Sequence, residues 1–248
     1  DQPRSRGLGD VYKRQLEQSK LTLSKDITVL SFSDSSMVDR NSSIIKVDSG
    51  WIVYSKNSES SILSFTSDGQ FSGYIGHRGN GPGEYTSVYD VVVNQKSKVL
   101  EVLSDGGIFC YTFGGDFLDK KEVTYPAFSF AIDDRQNYWF YVGNNTTYGD
   151  AKMICTDENI ANVAYYLHQK SNMLPMVENN FGRNGEWLTF HESLNHDLYT
   201  IENGKLDLSY AMDFPNYKLP KKLHELSGME VIEELQRSNY ASLSLIHI

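Results

Sequence analysis

Cysteine and long apolar runs are both scarce in this sequence. Two cysteines, Cys110 and Cys155, stand among 248 residues, which is too few for a disulfide framework or a cysteine metal cluster. Each lies in an apolar run typical of a strand, so we expect both to be buried free thiols. No run reaches the roughly 20 apolar residues needed to cross a bilayer. We therefore predict no transmembrane segment in this stretch of chain.

Basic residues are also in deficit. The chain has 23 Lys and Arg against 32 Asp and Glu, a formal net charge of −9 at pH 7. A binding site for phosphate backbones needs a basic face, which this balance opposes. We predict no nucleic-acid partner.

Familiar catalytic and metal-binding patterns are missing as well. His191-Glu192 and His196 resemble a zinc-protease signature, but the second histidine comes one residue too late to share a helical face. The run Asp133–Asn137 resembles a calcium loop without its glycine and distant glutamate. No Gly-x-Ser-x-Gly turn or carboxylate pair stands out. The sequence therefore predicts no catalytic residue, metal ligand or cofactor, although residues from several repeats could still converge on one site.

Aromatic residues and glycine are abundant, and they recur in a repeat. Sixteen Tyr, twelve Phe and nineteen Gly are typical of many short strands joined by tight turns. A strand, a tight turn and a second strand occur four times. The apolar residues that follow the turn are 46, 43 and 46 residues apart, namely Phe71, Phe117, Ile160 and Leu206. This spacing indicates one structural unit repeated four times.

Each unit contains two further strand-like runs before the hairpin. Four antiparallel strands in about 45 residues are typical of a β-propeller blade. We predict an all-β protein, a β-propeller fragment with four complete four-stranded blades at about 43–85, 86–126, 127–172 and 173–214. Trp51, Trp139 and Trp187 are candidates to fill the spaces between blades. A β-sandwich or a solenoid is the alternative, but neither explains equal repeats as well.

Two segments flank the four blades. Ile27–Phe32 reads as a single strand, which we interpret as the outer strand of a blade whose partners are missing or close the ring. After the blades, an apolar stripe over 221–238 indicates a short helical insertion near the C-terminus.

The two ends of the chain are related through their coding DNA. Leu243–Ile248 can be encoded by CTGTCTCTTATACACATC, whose reverse complement encodes Asp-Val-Tyr-Lys-Arg-Gln, the sequence of Asp10–Gln15. Such a pair is typical of a transposon end used to tag sequencing libraries. We therefore expect 1–15 and 243–248 to be adapter-derived, non-native segments, with the propeller fragment in 16–242.

The segment Ile75–Tyr85, with the sequence Ile-Gly-His-Arg-Gly-Asn-Gly-Pro-Gly-Glu-Tyr, has the most distinctive composition. It resembles the bacterial 6-bladed β-propeller family, in which Gly-Pro-Gly-Glu-Tyr follows a run with two basic residues. The resemblance implies a six-bladed parent, exported and often lipid-anchored, in the periplasm or at the surface of a Gram-negative bacterium. It implies no catalytic residue, because the family has no agreed activity.

Two interpretations of this segment are open. In the first, the glycines shape a crossing loop between blades while Arg78 pairs with Glu84, and Gly81 and Gly83 hold backbone angles that a Cβ disfavours. In the second, backbone N–H groups and basic side chains form an anion site. The candidate ligand-binding residues are His77, Arg78, Glu84 and Tyr85.

The function predicted from the sequence is binding. We expect a non-catalytic propeller that binds a protein or glycan at the funnel face, the end where the central channel opens. The alternative is a propeller enzyme of the polysaccharide lyase or hydrolase type, with an axial site completed by missing blades. A structural spacer is a third possibility.

Overall fold

The computed structural model describes residues 27–31, 38, 42–56, 60–143, 149–168, 179–185, 187–192, 195–213, 223, 225–226 and 229–237. The segments expected to come from adapters, 1–15 and 243–248, lie outside these residues.

Four antiparallel sheets of four strands form the body of the protein. In each sheet the strands pair in chain order, so every sheet is a simple meander. Blade 1 consists of β1 (Ser42–Val47), β2 (Gly50–Ser55), β3 (Ile62–Thr66) and β4 (Phe71–Ile75). A short parallel pair, β5 (His77–Arg78) and β6 (Glu84–Tyr85), lies between blades 1 and 2. Blade 2 consists of β7 (Asp90–Asn94), β8 (Val99–Ser104), β9 (Gly107–Tyr111) and β10 (Phe117–Glu122).

Blade 3 consists of β11 (Ser129–Ile132), β12 (Tyr138–Tyr141), β13 (Ala151–Thr156) and β14 (Ala164–His168). Blade 4 consists of β15 (Phe181–Asn184), β16 (Trp187–His191), β17 (Asp197–Glu202) and β18 (Lys205–Ala211). The predicted all-β propeller arrangement of four four-stranded blades is confirmed. The first strands of blades 2, 3 and 4 are innermost, since β11 contacts both β7 and β15.

The core consists of apolar layers between successive blades. Side chains alternate between the two faces of a strand, so each sheet contributes to the layer before it and to the layer after it. Trp139 is fully buried and packs with Leu188 and Phe190 between blades 3 and 4, as predicted for an inter-blade tryptophan. Trp187 alternates with Leu188 and therefore faces away from blade 3, where it is 66% exposed.

A lysine, an acid and a tyrosine recur near each blade junction. Between blades 1 and 2, Lys56 lies 2.8 Å from Asp90, which also accepts a 3.4 Å hydrogen bond from Tyr54. Between blades 2 and 3, Tyr138 of blade 3 donates to Glu101 of blade 2, whose ion-pair partner Lys121 is in the same blade. Between blades 3 and 4, Lys152 and Tyr141 of blade 3 both donate to Glu192, which follows β16 of blade 4. All three acids are buried. The junctions therefore combine apolar packing with buried carboxylates that are neutralised by lysines.

One short helix follows the blades. It is α1 (Met229–Arg237), and its Val231 packs against Leu223 in a small apolar cluster. The predicted helical insertion is present, but the described helix covers only part of 221–238. Within the described residues, no helix has the length and apolar character to span a bilayer.

Candidate functional site

The crossing loop between β4 and β7 carries the four site residues predicted from the sequence. His77 and Arg78 are exposed on β5, whereas Tyr85 on β6 is fully buried. The Tyr85 hydroxyl donates to the carbonyl of Ile75 (3.2 Å) and accepts from the Ile62 N–H (3.2 Å). The loop therefore separates these residues, with the two basic side chains outside and the tyrosine anchored between blades 1 and 2.

The carboxylate of Glu84 turns back into the loop. Its Oε2 accepts the Gly81 N–H at 2.8 Å, and a Cβ added to Gly79 would lie 1.9 Å from the same oxygen. The Arg78 side chain donates through Nε to the carbonyl of Thr86 at 3.0 Å. A carboxylate of the chain itself is thus already bound to a backbone N–H of the loop.

Gly83 allows the loop to approach blade 2 closely. Its φ is +74°, and an added Cβ would lie 2.6 Å from the ring of Phe117. Tyr111 donates its hydroxyl to the Gly83 carbonyl at 2.9 Å. The expectation of an unusual backbone angle is confirmed for Gly83 and wrong for Gly81, whose φ lies outside the left-handed region.

A cleft of about 580 Å³ opens where the linkers reach the inner strands of blades 2 and 3. We call it the Tyr89 cleft. Its floor is apolar and buried, and three aromatic rings and one carboxylate stand around it. The lining residues are Tyr89, Leu103, Ser104, Asp105, Gly106, Val123, Thr124, Tyr125, Pro126, Ala127 and Phe128.

Local structure places the aromatic groups of this cleft. Tyr89 directly precedes β7 and Phe128 directly precedes β11, and both rings pack against buried clusters of the core. Tyr125 lies in the linker from blade 2 to blade 3, and its ring centroid is 5.7 Å from that of Phe140 in the core. The rings are therefore held by strands or core contacts, and the cleft is formed before any ligand arrives.

Asp105, in the tight turn between β8 and β9, supplies the carboxylate. The Thr86 hydroxyl donates to its Oδ2 at 2.7 Å, and the Tyr89 hydroxyl donates to its Oδ1. The hydrogen bonds from Thr86 and then Tyr89 lower the pKa of Asp105 below its ordinary 3.8. The same contact with Asp105 raises the pKa of Tyr89 to about 12. At neutral pH the cleft thus presents the ionised carboxylate of Asp105 beside the neutral phenol of Tyr89.

Sequence reasoning missed this cleft because its residues share no motif. They come from two linkers and one turn, spread over 89–128. One signal was available, since an aromatic residue stands immediately before the inner strand in both blade 2 and blade 3.

A second cavity, of about 470 Å³, lies at the opposite end of the blades. It is lined by Gln95, Asp134, Arg183, Gly185, Trp187, Thr200, Ile201, Glu202 and Asn203. Arg183 donates a hydrogen bond to the carbonyl of Ile132, and burial lowers the pKa of its guanidinium. Trp187, on the open face of blade 4, forms part of its wall.

No metal centre emerges from the described part of the chain. Among those residues, no group of three or more His, Cys, Asp or Glu side chains is close enough to hold an ion. Of the residues that line the Tyr89 cleft, Asp105 alone carries a carboxylate. The cleft as described is equipped to bind a molecule through ring faces and one acceptor group.

Comparison with known proteins matches this architecture. A family model described as "Domain of unknown function (DUF4934)" matches residues 13–247. No curated protein matches the chain. A candidate exported protein of Bacteroides fragilis has a similar structure, with a TM-score of 0.73 and 15% identity over 86% of this chain and 63% of that chain.

Two further solved structures are similar. A DUF4221 family member from Bacteroides vulgatus aligns with a TM-score of 0.51 and 11% identity over 80% of this chain and 66% of that chain. A streptogramin B lyase aligns with a TM-score of 0.49 and 17% identity over 76% of this chain and 58% of that chain. At such identities the likeness concerns the fold alone. The chain spans less than two thirds of the Bacteroides fragilis protein.

Proposed function

Because this chain belongs to the DUF4934 family of domains and folds as a propeller, we propose that it is a binding protein of the bacterial envelope that holds an oligosaccharide in the Tyr89 cleft. The observation that carries the proposal is the combination of three aromatic rings with one ionised carboxylate around a preformed cleft.

The chemistry of a sugar ring matches such a lining. A pyranose has apolar C–H faces, which pack on flat aromatic side chains, and hydroxyl edges, which donate to carboxylates. Tyr89, Tyr125 and Phe128 supply the rings, and Asp105 supplies the acceptor. The Asp105 carboxylate accepts hydrogen bonds from Thr86 and Tyr89 and is exposed at the cleft, so it can accept a further hydrogen bond from a ligand hydroxyl. The volume of about 580 Å³ lies within the usual range of ligand sites.

Charge narrows the ligand class to neutral glycans. The carboxylate of Asp105 is exposed at the cleft, and the whole chain has a net charge of −9. An acidic sugar would meet repulsion from both. We therefore propose a neutral oligosaccharide in preference to a uronic acid polymer.

Binding without hydrolysis is the simplest use of this lining. The usual glycoside hydrolase places two carboxyl groups about 5–10 Å apart across the scissile bond. The lining residues of the Tyr89 cleft offer Asp105 only. A lyase or hydrolase of this fold would need groups from further blades, and the cleft supports the binding proposal better.

We also propose a place and a size for the parent protein. The candidate exported protein of Bacteroides fragilis supports an envelope location. Within the envelope we propose the periplasm or the cell surface, with a lipid anchor preceding the propeller. Four blades correspond to 63% of that protein, so one blade corresponds to about one sixth of it. This proportion supports a six-bladed parent.

We make a second, separate proposal, that the crossing loop is a contact surface for a partner. The exposure of His77 and Arg78 supports it, with Glu84 and Tyr85 holding the loop in shape from inside. Replacing Arg78 with alanine should weaken binding of a partner to this surface and leave oligosaccharide binding in the Tyr89 cleft unchanged.

The test of the main proposal is a glycan array followed by calorimetry with the best neutral oligosaccharide. Asp105→Asn should weaken binding by about tenfold or more, because a hydrogen bond to a charged group contributes about 1.5–3 kcal/mol. Phe128→Leu should also weaken it, because the flat ring is lost while the apolar volume is largely kept.

Asp116→Asn is the matched control. Asp116 is an exposed carboxylate at the other end of blade 2 that also accepts a threonine hydroxyl, from Thr112 at 3.2 Å. The Asp116→Asn variant should bind the neutral oligosaccharide with the same affinity as the parent protein. The proposal fails if no neutral glycan binds, if all variants bind equally, or if a protein partner instead shows the dependence on Asp105 and Phe128.

A further inference from the structure

The cavity of about 470 Å³ that lies opposite the Tyr89 cleft is formed where turns of three blades meet, and we call it the Arg183 cavity. Gln95 lies in the turn between β7 and β8, Asp134 in the turn between β11 and β12, and Gly185 in the turn between β15 and β16. Each of these turns joins the first two strands of its blade. Residues that are far apart in the chain thus line one cavity.

Buried side chains hold two of these turns in shape. Asp133 accepts the N–H groups of Arg135 and Asn137 at its Oδ1, both at 2.9 Å. Asn94 accepts two N–H groups of its own turn in the same way, at 3.1 and 3.2 Å. Asp133 and Asn94 are 3% and 5% exposed. The walls of the cavity are therefore largely preformed, which lowers the entropic cost of binding a ligand.

Arg183 supplies a cation to the cavity. Its guanidinium donates a hydrogen bond to the carbonyl of Ile132. Among the residues that the structure describes, no carboxylate forms an ion pair with this guanidinium. Burial lowers its pKa, and the more distant carboxylates of Asp133 and Asp134 act in the opposite direction. A guanidinium presents a planar fork of N–H donors that matches a carboxylate, so Arg183 is suited to bind the carboxylate of a ligand.

Two carboxylates stand at the rim of the same cavity. Asp134 and Glu202, the last residue of β17, are both exposed there. They attract the ammonium group of a ligand. Together with the net charge of −9, they repel a ligand that carries negative charge alone. A cavity with one guanidinium and two carboxylates therefore favours a ligand that has both a negative and a positive group.

Trp187 adds an apolar surface to the cavity. Its side chain is 66% exposed and forms part of the wall. The flat indole ring can pack on an apolar side chain of a ligand. The volume of about 470 Å³ lies within the usual range of ligand sites.

We propose that the Arg183 cavity binds a short peptide with free termini and an apolar side chain. Arg183 pairs with the terminal carboxylate of the peptide, and Trp187 contacts its apolar side chain. Asp134 and Glu202 bind its terminal ammonium. This site is independent of the oligosaccharide site proposed in the Tyr89 cleft, at the other end of the blades.

The first test uses dipeptides built from alanine, valine, leucine and phenylalanine. Ligand-observed NMR identifies the dipeptide that binds best, and calorimetry measures its affinity. An N-acetylated form and a C-terminally amidated form of that dipeptide should each bind at least about tenfold more weakly, because each loses one charged contact. The proposal is overturned if none of the dipeptides binds, or if the capped forms bind as tightly as the free form.

Two variants assign the charged contacts to residues. Arg183→Lys keeps the charge but loses the planar fork, so it should bind the free dipeptide at least about tenfold more weakly and the amidated form with the affinity of the parent protein. Glu202→Gln should bind the free dipeptide about threefold or more weakly and the acetylated form with unchanged affinity. Because Glu202 is exposed, this variant should fold like the parent protein, which circular dichroism verifies.

Glu158→Gln is the matched control. Glu158 is an exposed carboxylate in the turn between β13 and β14 and is not among the residues that line the Arg183 cavity. This variant has the same net charge as Glu202→Gln and should bind the free dipeptide with the affinity of the parent protein. Equal affinity of the parent and all three variants would overturn the proposal. A loss at Glu158→Gln as large as that at Glu202→Gln would overturn it as well, because the effect would then come from net charge alone.

Discussion

The ammonium of Lys152 on β13 lies 3.0 Å from Oε1 and 3.1 Å from Oε2 of Glu192, which follows β16 in the next blade. Both side chains are buried, with 5% and 9% exposed. Tyr141 donates a further hydrogen bond of 2.9 Å to the same carboxylate. The junction of blades 3 and 4 therefore depends on a charge that one blade supplies and the other neutralises.

Removing one partner of this pair should destabilise the protein strongly. Lys152→Met leaves the Glu192 carboxylate buried without its cation, at a cost of about 3–5 kcal/mol in the free energy of unfolding. Replacing both, as Lys152→Met with Glu192→Leu, should recover most of that loss. Urea unfolding measures the free energy of unfolding of the parent protein, of Lys152→Met and of the double variant.

An exposed ion pair provides the control for this experiment. Lys98 lies 3.2 Å from Asp48, with side chains 54% and 83% exposed. Lys98→Met should change the free energy of unfolding by at most about 1 kcal/mol. A loss at Lys152 no larger than at Lys98 would contradict the role given to the buried pair.

Alanine at Gly83 should cost more than alanine at a glycine with the same backbone angle. Gly106 has a φ of +75°, close to the +74° of Gly83, but its added Cβ would meet only the Lys120 ammonium at 3.6 Å. Gly106→Ala should lower the free energy of unfolding by about 1–2 kcal/mol, through backbone strain alone. Gly83→Ala should lose about 1–3 kcal/mol more, because its Cβ collides with the Phe117 ring.

Thermal or urea unfolding compares these variants with Gly81→Ala. Gly81 has no left-handed angle, and its added Cβ would meet the flexible Glu84 carboxylate at 3.0 Å. We therefore expect Gly81→Ala to lose the least free energy of unfolding of the three variants. An equal loss at all three positions would mean that contact with Phe117 does not matter.

Both cysteines should resist thiol reagents in the folded protein. Burial raises the pKa of Cys110 to about 12 and that of Cys155 to about 12. At pH 8 the reactive thiolate is then a fraction of about one in ten thousand. A colorimetric thiol assay should detect no reaction in the native state and two thiols in urea. Ser67→Cys, at an exposed turn position, should add one thiol that reacts at once.

The carboxyl of Asp105 should titrate below its ordinary pKa of 3.8, as measured by carbon NMR. Because this pKa is lowered in the folded state, the associated stability is present above the ordinary value and is lost as pH falls through the folded pKa. Thr86→Val should raise the pKa, since the Thr86 hydroxyl is the leading cause of the shift. Ser67→Ala, remote from this site, should leave it unchanged. An Asp105 pKa at or above 3.8 in the parent would contradict the proposed state of the cleft.

Much of the fold could be predicted, because the same pattern of strands and turns occurs four times in the sequence. The apolar residues that follow each tight turn, from Phe71 to Leu206, indicated four equal units before any contact was known. The function of a single strand was harder to predict. Ile27–Phe32 reads as a strand in the sequence. Its place on blade 1 follows from the contacts of Leu30 and Ser31, which no pattern in the sequence indicates.

The site was less accessible to sequence reasoning than the fold. The crossing loop stood out by composition, yet its glycines and Glu84 largely serve its own geometry. The Tyr89 cleft depends on how two linkers and one turn meet across two blades. Such proximity is set by the twist of the sheets and leaves no local pattern in the chain.

The charged groups at the junctions also bear on how blades recognise their neighbours. The three junctions hold their acids at different places: Asp90 begins an inner strand, Glu101 lies within a second strand, and Glu192 follows one. Asp90 and Glu192 each meet a lysine of the preceding blade, whereas Glu101 meets Lys121 of its own blade. If blade 2 or blade 4 followed a blade without such a lysine, Asp90 or Glu192 would be buried without its cation, so these two junctions disfavour shuffled or domain-swapped rings.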